Sequence, residues 1–150
     1  MSTTDDTTLL DGPTFGGSGG DRFRDPAADV MRLTSITVRS ATYVDAIQCF
    51  WKMPGGTVEP GPQHGRDGGT PHNVTLGPDE YIVRITGRAS KYLDQITFIT
   101  NLGHSHGPFG GKGGTAFDWQ VPEGRVVAFH GQAAKFIDAL GCMYALHDEA

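Results

Sequence analysis

The chain has 150 residues and a formal net charge of −5. That length suits one domain with a proper buried core, and the acidic balance argues against nucleic acid or an anionic membrane as partner, because both reward a basic face. No apolar run approaches the roughly 20 residues that span a bilayer, so membrane insertion is not expected.

Residues 1–11 are rich in Thr and Asp, lack the basic-then-apolar layout of a signal peptide, and read as a flexible tail ahead of one domain over 12–150. Such a chain is expected in the cytoplasm, or secreted without a classical signal peptide. Residues 12–15 lead into a glycine loop, and 21–29, charged and carrying Pro26, read as another loop. Residues 33–40 and 46–51 are β-rich strand candidates. Pro54, Gly55, Gly56, Pro60 and Gly61 predict a turning segment, and a further loop is expected around Pro71-His72-Asn73. Strands follow at 81–87, 95–101, 125–131 and 139–144. No stretch shows apolar residues at helical spacing with caps, so the pattern predicts an all-β domain.

A short motif is written three times: Ala41-Thr42-Tyr43-Val44-Asp45-Ala46-Ile47, Ser90-Lys91-Tyr92-Leu93-Asp94-Gln95-Ile96 and Ala134-Lys135-Phe136-Ile137-Asp138-Ala139-Leu140. The aspartates lie 49 and 44 residues apart, close to a third of the chain. A glycine loop repeats in step, as Gly16-Gly17-Ser18-Gly19-Gly20, Gly65-Arg66-Asp67-Gly68-Gly69 and Gly110-Gly111-Lys112-Gly113-Gly114. Two motifs that keep one spacing three times over fix the architecture as three repeats, hence three sheets. A carboxylate in such a bend accepts two hydrogen bonds, and charged acceptors make the stronger ones. Backbone N–H groups of the bend supply donors beside it. Vicinal hydroxyls, which donate and accept, suit that combination. The aromatic ring of each bend is expected to flank a sugar face, and a glycine loop lets backbone approach a ligand with no Cβ in the way.

The glycine loops and bends resemble those of the jacalin-related lectins, above all their mannose-binding branch, over residues 12–144. The resemblance implies a β-prism of three four-stranded Greek-key sheets with pseudo-threefold symmetry, and binding of mannose-type glycans and glycoproteins without a metal or cofactor. Carried over, it implies that Asp138 with Lys135 and Phe136 pairs with Gly20. Asp45 with Thr42 and Tyr43 pairs with Gly69, and Asp94 with Lys91 and Tyr92 pairs with Gly114. Each carboxylate takes the O4 and O6 hydroxyls of the sugar, and the amides meet its ring oxygen, O6 and O3. The chain departs from the family where the bend's leading glycine becomes Ala41, Ser90 and Ala134. A backbone with positive φ there disfavours these residues. The second loop carries Arg66 and Asp67 and is one glycine short.

Other motifs carry less chemistry. Cys49 and Cys142 occupy equivalent places in two repeats and read as buried thiols. His104-Ser105-His106 has no third ligand at matching spacing and reads as a solvated loop pair. No nucleophile elbow, Cys/His pair or phosphate loop is present, and the motif aspartates belong to separate sites, so catalysis is not expected. The alternative class is a protein-interaction or structural β-prism with degenerate sugar sites. A homodimer or higher oligomer is compatible with the chain.

Overall fold

The computed structural model describes residues 8–147. Among them are twelve strands and no helix: β1 (Leu9–Gly16), β2 (Asp21–Arg24), β3 (Arg32–Ser40), β4 (Val44–Lys52), β5 (Val58–Gly65), β6 (Thr70–Thr75), β7 (Ile82–Ala89), β8 (Leu93–Thr100), β9 (Ser105–Gly110), β10 (Thr115–Gln120), β11 (Arg125–Ala133) and β12 (Ile137–Ala145). They form three antiparallel four-stranded sheets in the orders β5-β4-β3-β6, β10-β7-β8-β9 and β1-β12-β11-β2. This is the expected β-prism. In the first two sheets the fourth strand returns beside the first, the Greek-key order. The third sheet draws on both chain ends, with β1 and β2 flanking the C-terminal hairpin. Leu9, Leu10 and Asp11, read from the sequence as tail, therefore pair with Ala145, Tyr144 and Met143. Residues 1–7 of that tail lie outside the described residues.

The inner hairpins β3–β4, β7–β8 and β11–β12 supply most of the core, because their β-branched, aliphatic and aromatic residues point inward. Phe98 and Phe129 are fully buried and meet edge to face, with ring centroids 6.0 Å apart. Trp51 is buried and donates its indole N–H to Val127 O at 2.9 Å, across to another sheet. The outer strands are largely exposed. Three of them occupy segments read from the sequence as loops or turns: Asp21–Arg24 is β2, Val58–Gly65 is β5 and Thr70–Thr75 is β6. An edge strand needs ladder bonds on one side only, so Pro60, Pro62 and Pro71 are tolerated there.

Just past β2, Asp25 is buried and joins two sheets. Its carboxylate accepts from Phe129 N–H at 3.0 Å, faces His64 Nε2 at 2.6 Å and lies 3.6 Å from Cys49 Sγ. The His64 ring stacks on Phe23, with centroids 3.8 Å apart. Cys49 and Cys142 are free and buried, as expected. Burial pushes both thiols well above their usual range, and the Asp25 carboxylate adds to the effect at Cys49.

Candidate functional site

Each motif aspartate sits where the strand pairing slips by one residue. Arg39 faces Ala46 and Ser40 faces Val44, leaving Asp45 between them. Asp94 falls likewise between Leu93 and Gln95, and Asp138 between Ile137 and Ala139. A bulged residue leaves the two-residue alternation and its side chain is re-aimed. The bulge accounts for Val44, Asp45 and Ala46 being buried in succession, where a regular strand would bury alternate residues. Asp45, Asp94 and Asp138 are 6%, 3% and 5% exposed.

The glycine loops join β1 to β2, β5 to β6 and β9 to β10, and each ends over one carboxylate. Gly20, Gly69 and Gly114 have φ of +78°, +67° and +76°. A Cβ at these positions would stand 2.5 Å from Asp138 Oδ1, 2.8 Å from Asp45 Oδ1 and 2.7 Å from Asp94 Oδ1. The left-handed backbone and the close approach both require glycine. The structure thus brings together Gly20 with Asp138, Gly69 with Asp45 and Gly114 with Asp94.

A set of braces went unread in the sequence. Arg39 donates through Nε to Gly68 O at 3.0 Å, and Arg88 donates through Nε to Gly113 O at 3.0 Å and through Nη2 to Gly114 O at 2.8 Å. Gln132 Nε2 donates to Ser18 O at 3.0 Å and Gly19 O at 3.2 Å. Arg39, Arg88 and Gln132 stand at one offset from the three aspartates, and that shared offset was the available signal. Each fixes its glycine loop from the strand that precedes the bend.

The sites also share walls. Gly17 of the Asp138 site packs against the Lys91 carbonyl, and a Cβ on Gly111 of the Asp94 site would stand 2.5 Å from Thr42 O. Each of these bends therefore borders its own aspartate and a neighbour's glycine loop. Lys91 acts electrostatically on Asp138, and Lys135 on Asp45, so both ammonium groups serve the site next to their own bend. In the second loop Arg66 stands where the others have Gly17 and Gly111. Its N–H reaches Asp45 O at 3.3 Å, against 2.9 Å for Gly17 to Asp138 O and for Gly111 to Asp94 O.

Tyr43, Tyr92 and Phe136 come together. Their centroids lie 4.9 Å apart for the two tyrosines and 5.0 Å from each tyrosine to Phe136, a cluster shared by all three bends. Lys91 Nζ and Lys135 Nζ lie over Tyr92 and Phe136 at 5.7 and 5.5 Å from the centroids. Among the described residues no non-glycine residue has positive φ, so Ala41, Ser90 and Ala134 enter their bends without backbone strain. The bends close alike, with Ala41, Ser90 and Ala134 N–H donating to Tyr43, Tyr92 and Phe136 O at 2.9, 2.8 and 3.0 Å.

The three carboxylates are not equivalent. Ser90 Oγ donates to Asp94 Oδ1 at 2.7 Å. The buried Oδ1 atoms of Asp45 and Asp138 have no protein partner. Burial raises the pKa of Asp45 and Asp138 above the usual 3.8, opposed by Arg39 and Lys135 at Asp45 and by Lys91 at Asp138. A buried, partly desolvated carboxylate walled by a glycine loop is suited to a ligand that donates hydroxyl hydrogens.

A model of the jacalin-like lectin domain matches residues 13–143. Griffithsin from Griffithsia sp. is 37% identical over 131 residues, a span covering 87% of this chain and 93% of griffithsin. The agglutinin of Castanea crenata is 34% identical over 137 residues; the match covers 85% of this chain but 44% of that longer protein. The solved structure of a mannose-binding jacalin-related lectin from Ananas comosus superposes with a TM-score of 0.82 at 32% identity, covering 93% of this chain and 99% of that one. Sequence, fold and the threefold pattern of bends agree, and the chain belongs to the jacalin-like lectin family, a family of non-enzymatic carbohydrate-binding proteins.

Proposed function

We propose that this chain binds mannose-type glycans at three sites on one end of the prism. The sites centre on Asp138 with Gly20, Lys135 and Phe136, on Asp45 with Gly69, Thr42 and Tyr43, and on Asp94 with Gly114, Lys91 and Tyr92. The observation that carries the reading is the buried, unpartnered Oδ1 of Asp45 and Asp138 beneath its glycine loop. Two adjacent sugar hydroxyls donate to such a carboxylate, and the bend amides donate to sugar oxygens. The Ananas comosus lectin, described as mannose-binding, shares the fold and supports the choice of sugar.

A single shallow sugar site is weak, and three sites fixed on one rigid end turn later contacts with a branched glycan into intramolecular ones, worth about 10²–10⁴ in affinity. Calorimetric titration is expected to give millimolar binding of mannose, much tighter binding of a branched high-mannose glycan and no heat with galactose. The Asp94 site is expected to be the weakest of the three, because the Ser90 hydroxyl already occupies one acceptor position that a sugar needs. Absence of heat with every sugar at high protein concentration would instead favour the interaction-module reading.

Binding is also expected to depend on pH. A sugar hydroxyl donates to the ionised carboxylate, and folding raises the pKa of Asp45 and Asp138 above 3.8. Affinity at those sites should therefore begin to fall at a pH above 3.8 as acid is added. The same shift has the opposite sign for the free fold. Its stabilising contribution is fully present below pH 3.8 and is lost as pH rises through the folded pKa. Glycan titrations from pH 7 to pH 4 test this, and affinity constant down to pH 4 would contradict it.

A further inference from the structure

Glu80, His104 and His106 bring three metal-ligating side chains together, with one donor atom of each within 4.8 Å of the others. The histidines flank the start of β9, and Glu80 lies in the β6–β7 loop. The sequence reading found no third ligand for the histidine pair because Glu80 is distant along the chain and arrives only when the two loops meet. The cluster is at the far end of β8 from Asp94, about 20 Å away at the usual strand rise.

The surroundings are already fixed. Thr100 Oγ1 donates to Glu80 Oε2 at 2.8 Å, and Gly77 N–H donates to Oε1 at 3.0 Å. Asn101 N–H donates to Tyr81 O at 3.0 Å, and Asn101 Nδ2 to Asp79 O at 3.1 Å, stitching the two loops together. Hydrogen bonds of this kind orient metal ligands in advance. Glu80 is buried at 7% exposure, and its Oε2 lies 2.6 Å from His104 Nδ1. The His104 side chain is 60% exposed. His106 Nε2 is buried and meets no protein partner. Native folds seldom leave a buried ring nitrogen unsatisfied.

We propose that Glu80, His104 and His106 bind one divalent transition-metal ion of the zinc class, with water at a fourth position beside the exposed His104. Two imidazoles and one carboxylate form a zinc donor set with bonds of about 2.0–2.2 Å, which places ligand atoms roughly 3.3 Å apart in a tetrahedron. The donors, which lie within 4.8 Å of one another, close on that spacing as His104 gives up its 2.6 Å contact with Glu80. The ion gives His106 Nε2 its partner and replaces the hydrogen bond between His104 and Glu80 with a stronger counter-charge for the buried carboxylate. It ties the β6–β7 loop to the β8–β9 hairpin and, by binding the folded chain alone, stabilises it. The site is separate from the aspartate bends and does not rest on the glycan-binding reading.

The test is titration of the chelator-treated full chain with Zn²⁺, followed by calorimetry and thermal denaturation. One ion per chain, micromolar or tighter, and a raised melting temperature are expected, with no response to Mg²⁺. His106→Ala and His104→Ala should each weaken binding at least tenfold and remove the thermal shift, while keeping the β circular dichroism of the parent chain. His72→Ala, outside the cluster, should bind as the parent does. His104→Ala alters an exposed ring, so it decides the matter even if His106→Ala fails to fold. No Zn²⁺ binding by the parent, or full affinity in a folded His104→Ala variant, overturns the proposal.

Discussion

Replacing Asp45, Asp94 and Asp138 together by Ala is expected to abolish glycan binding while the β-prism stays folded. Each hydrogen bond to a charged acceptor is worth about 1.5–3 kcal/mol. Losing two at one site takes a millimolar interaction beyond detection. Stability should not suffer in proportion, because in the free protein these carboxylates hold little together. The Oδ1 atoms of Asp45 and Asp138 have no protein partner, and burial disfavours their ionised form. The single variants Asp45→Ala and Asp138→Ala are therefore expected to melt no lower than the parent near neutral pH. Asp94→Ala forfeits the bond from Ser90 and should melt slightly lower. Glycan titration and thermal denaturation of the same samples separate the two effects. Binding retained by a folded triple variant would sink the proposal that these aspartates hold the sugar.

Asp25→Ala is expected to do the reverse, lowering stability strongly and leaving the sugar sites chemically intact. The substitution strands Phe129 N–H and removes the partner of His64 across two sheets. Leaving a buried polar group without its partner costs about 1–3 kcal/mol. Two are stranded here, which for a chain of this length corresponds to a fall in melting temperature of roughly 4–24 °C. Denaturant unfolding followed by circular dichroism measures it, and a loss below about 1 kcal/mol would show that the Asp25 cluster holds nothing together. At a temperature where the variant is still folded, its glycan affinity should match that of the parent.

These two aspartate classes differ sharply in how visible they were in the sequence. Asp45, Asp94 and Asp138 announce themselves by repetition, since three copies of one bend at one offset from three glycine loops are hard to produce by turn chemistry alone. Asp25 has no copy in the other repeats, stands beside Pro26 in a charged segment and reads there as a loop residue. Its burial depends on β2 pairing with β11 and on His64 arriving from β5. The brace residues fall between these cases. Arg39, Arg88 and Gln132 keep one spacing, but the change from Arg to Gln hides it, and each acts through a side-chain bond to a loop carbonyl that appears only once the loop is placed.

The substitutions at the bends show how a physical rule depends on the angle it assumes. Ala41, Ser90 and Ala134 threatened the sites only if the backbone there needed positive φ, and it does not. Ser90 matters for another reason. Its hydroxyl meets Asp94 Oδ1 and makes that site unlike the other two. Arg66 keeps the backbone contact of its loop to Asp45 O, at 3.3 Å.

By itself the sequence determined the all-β class, the threefold repeat, the six inner strands and which aspartate bends and glycine loops recur. Those features are local: alternation of apolar residues, turn chemistry and spacing are set by neighbours along the chain. Only the tertiary structure decided the Pro-bearing outer strands, whose pairing rests on a partner strand rather than on their own propensity. It also decided that β1 and β2 complete the C-terminal sheet, that each aspartate is aimed by a bulge, and that Glu80 joins His104 and His106. All of these depend on register and on contacts between residues far apart in sequence, which no local pattern encodes.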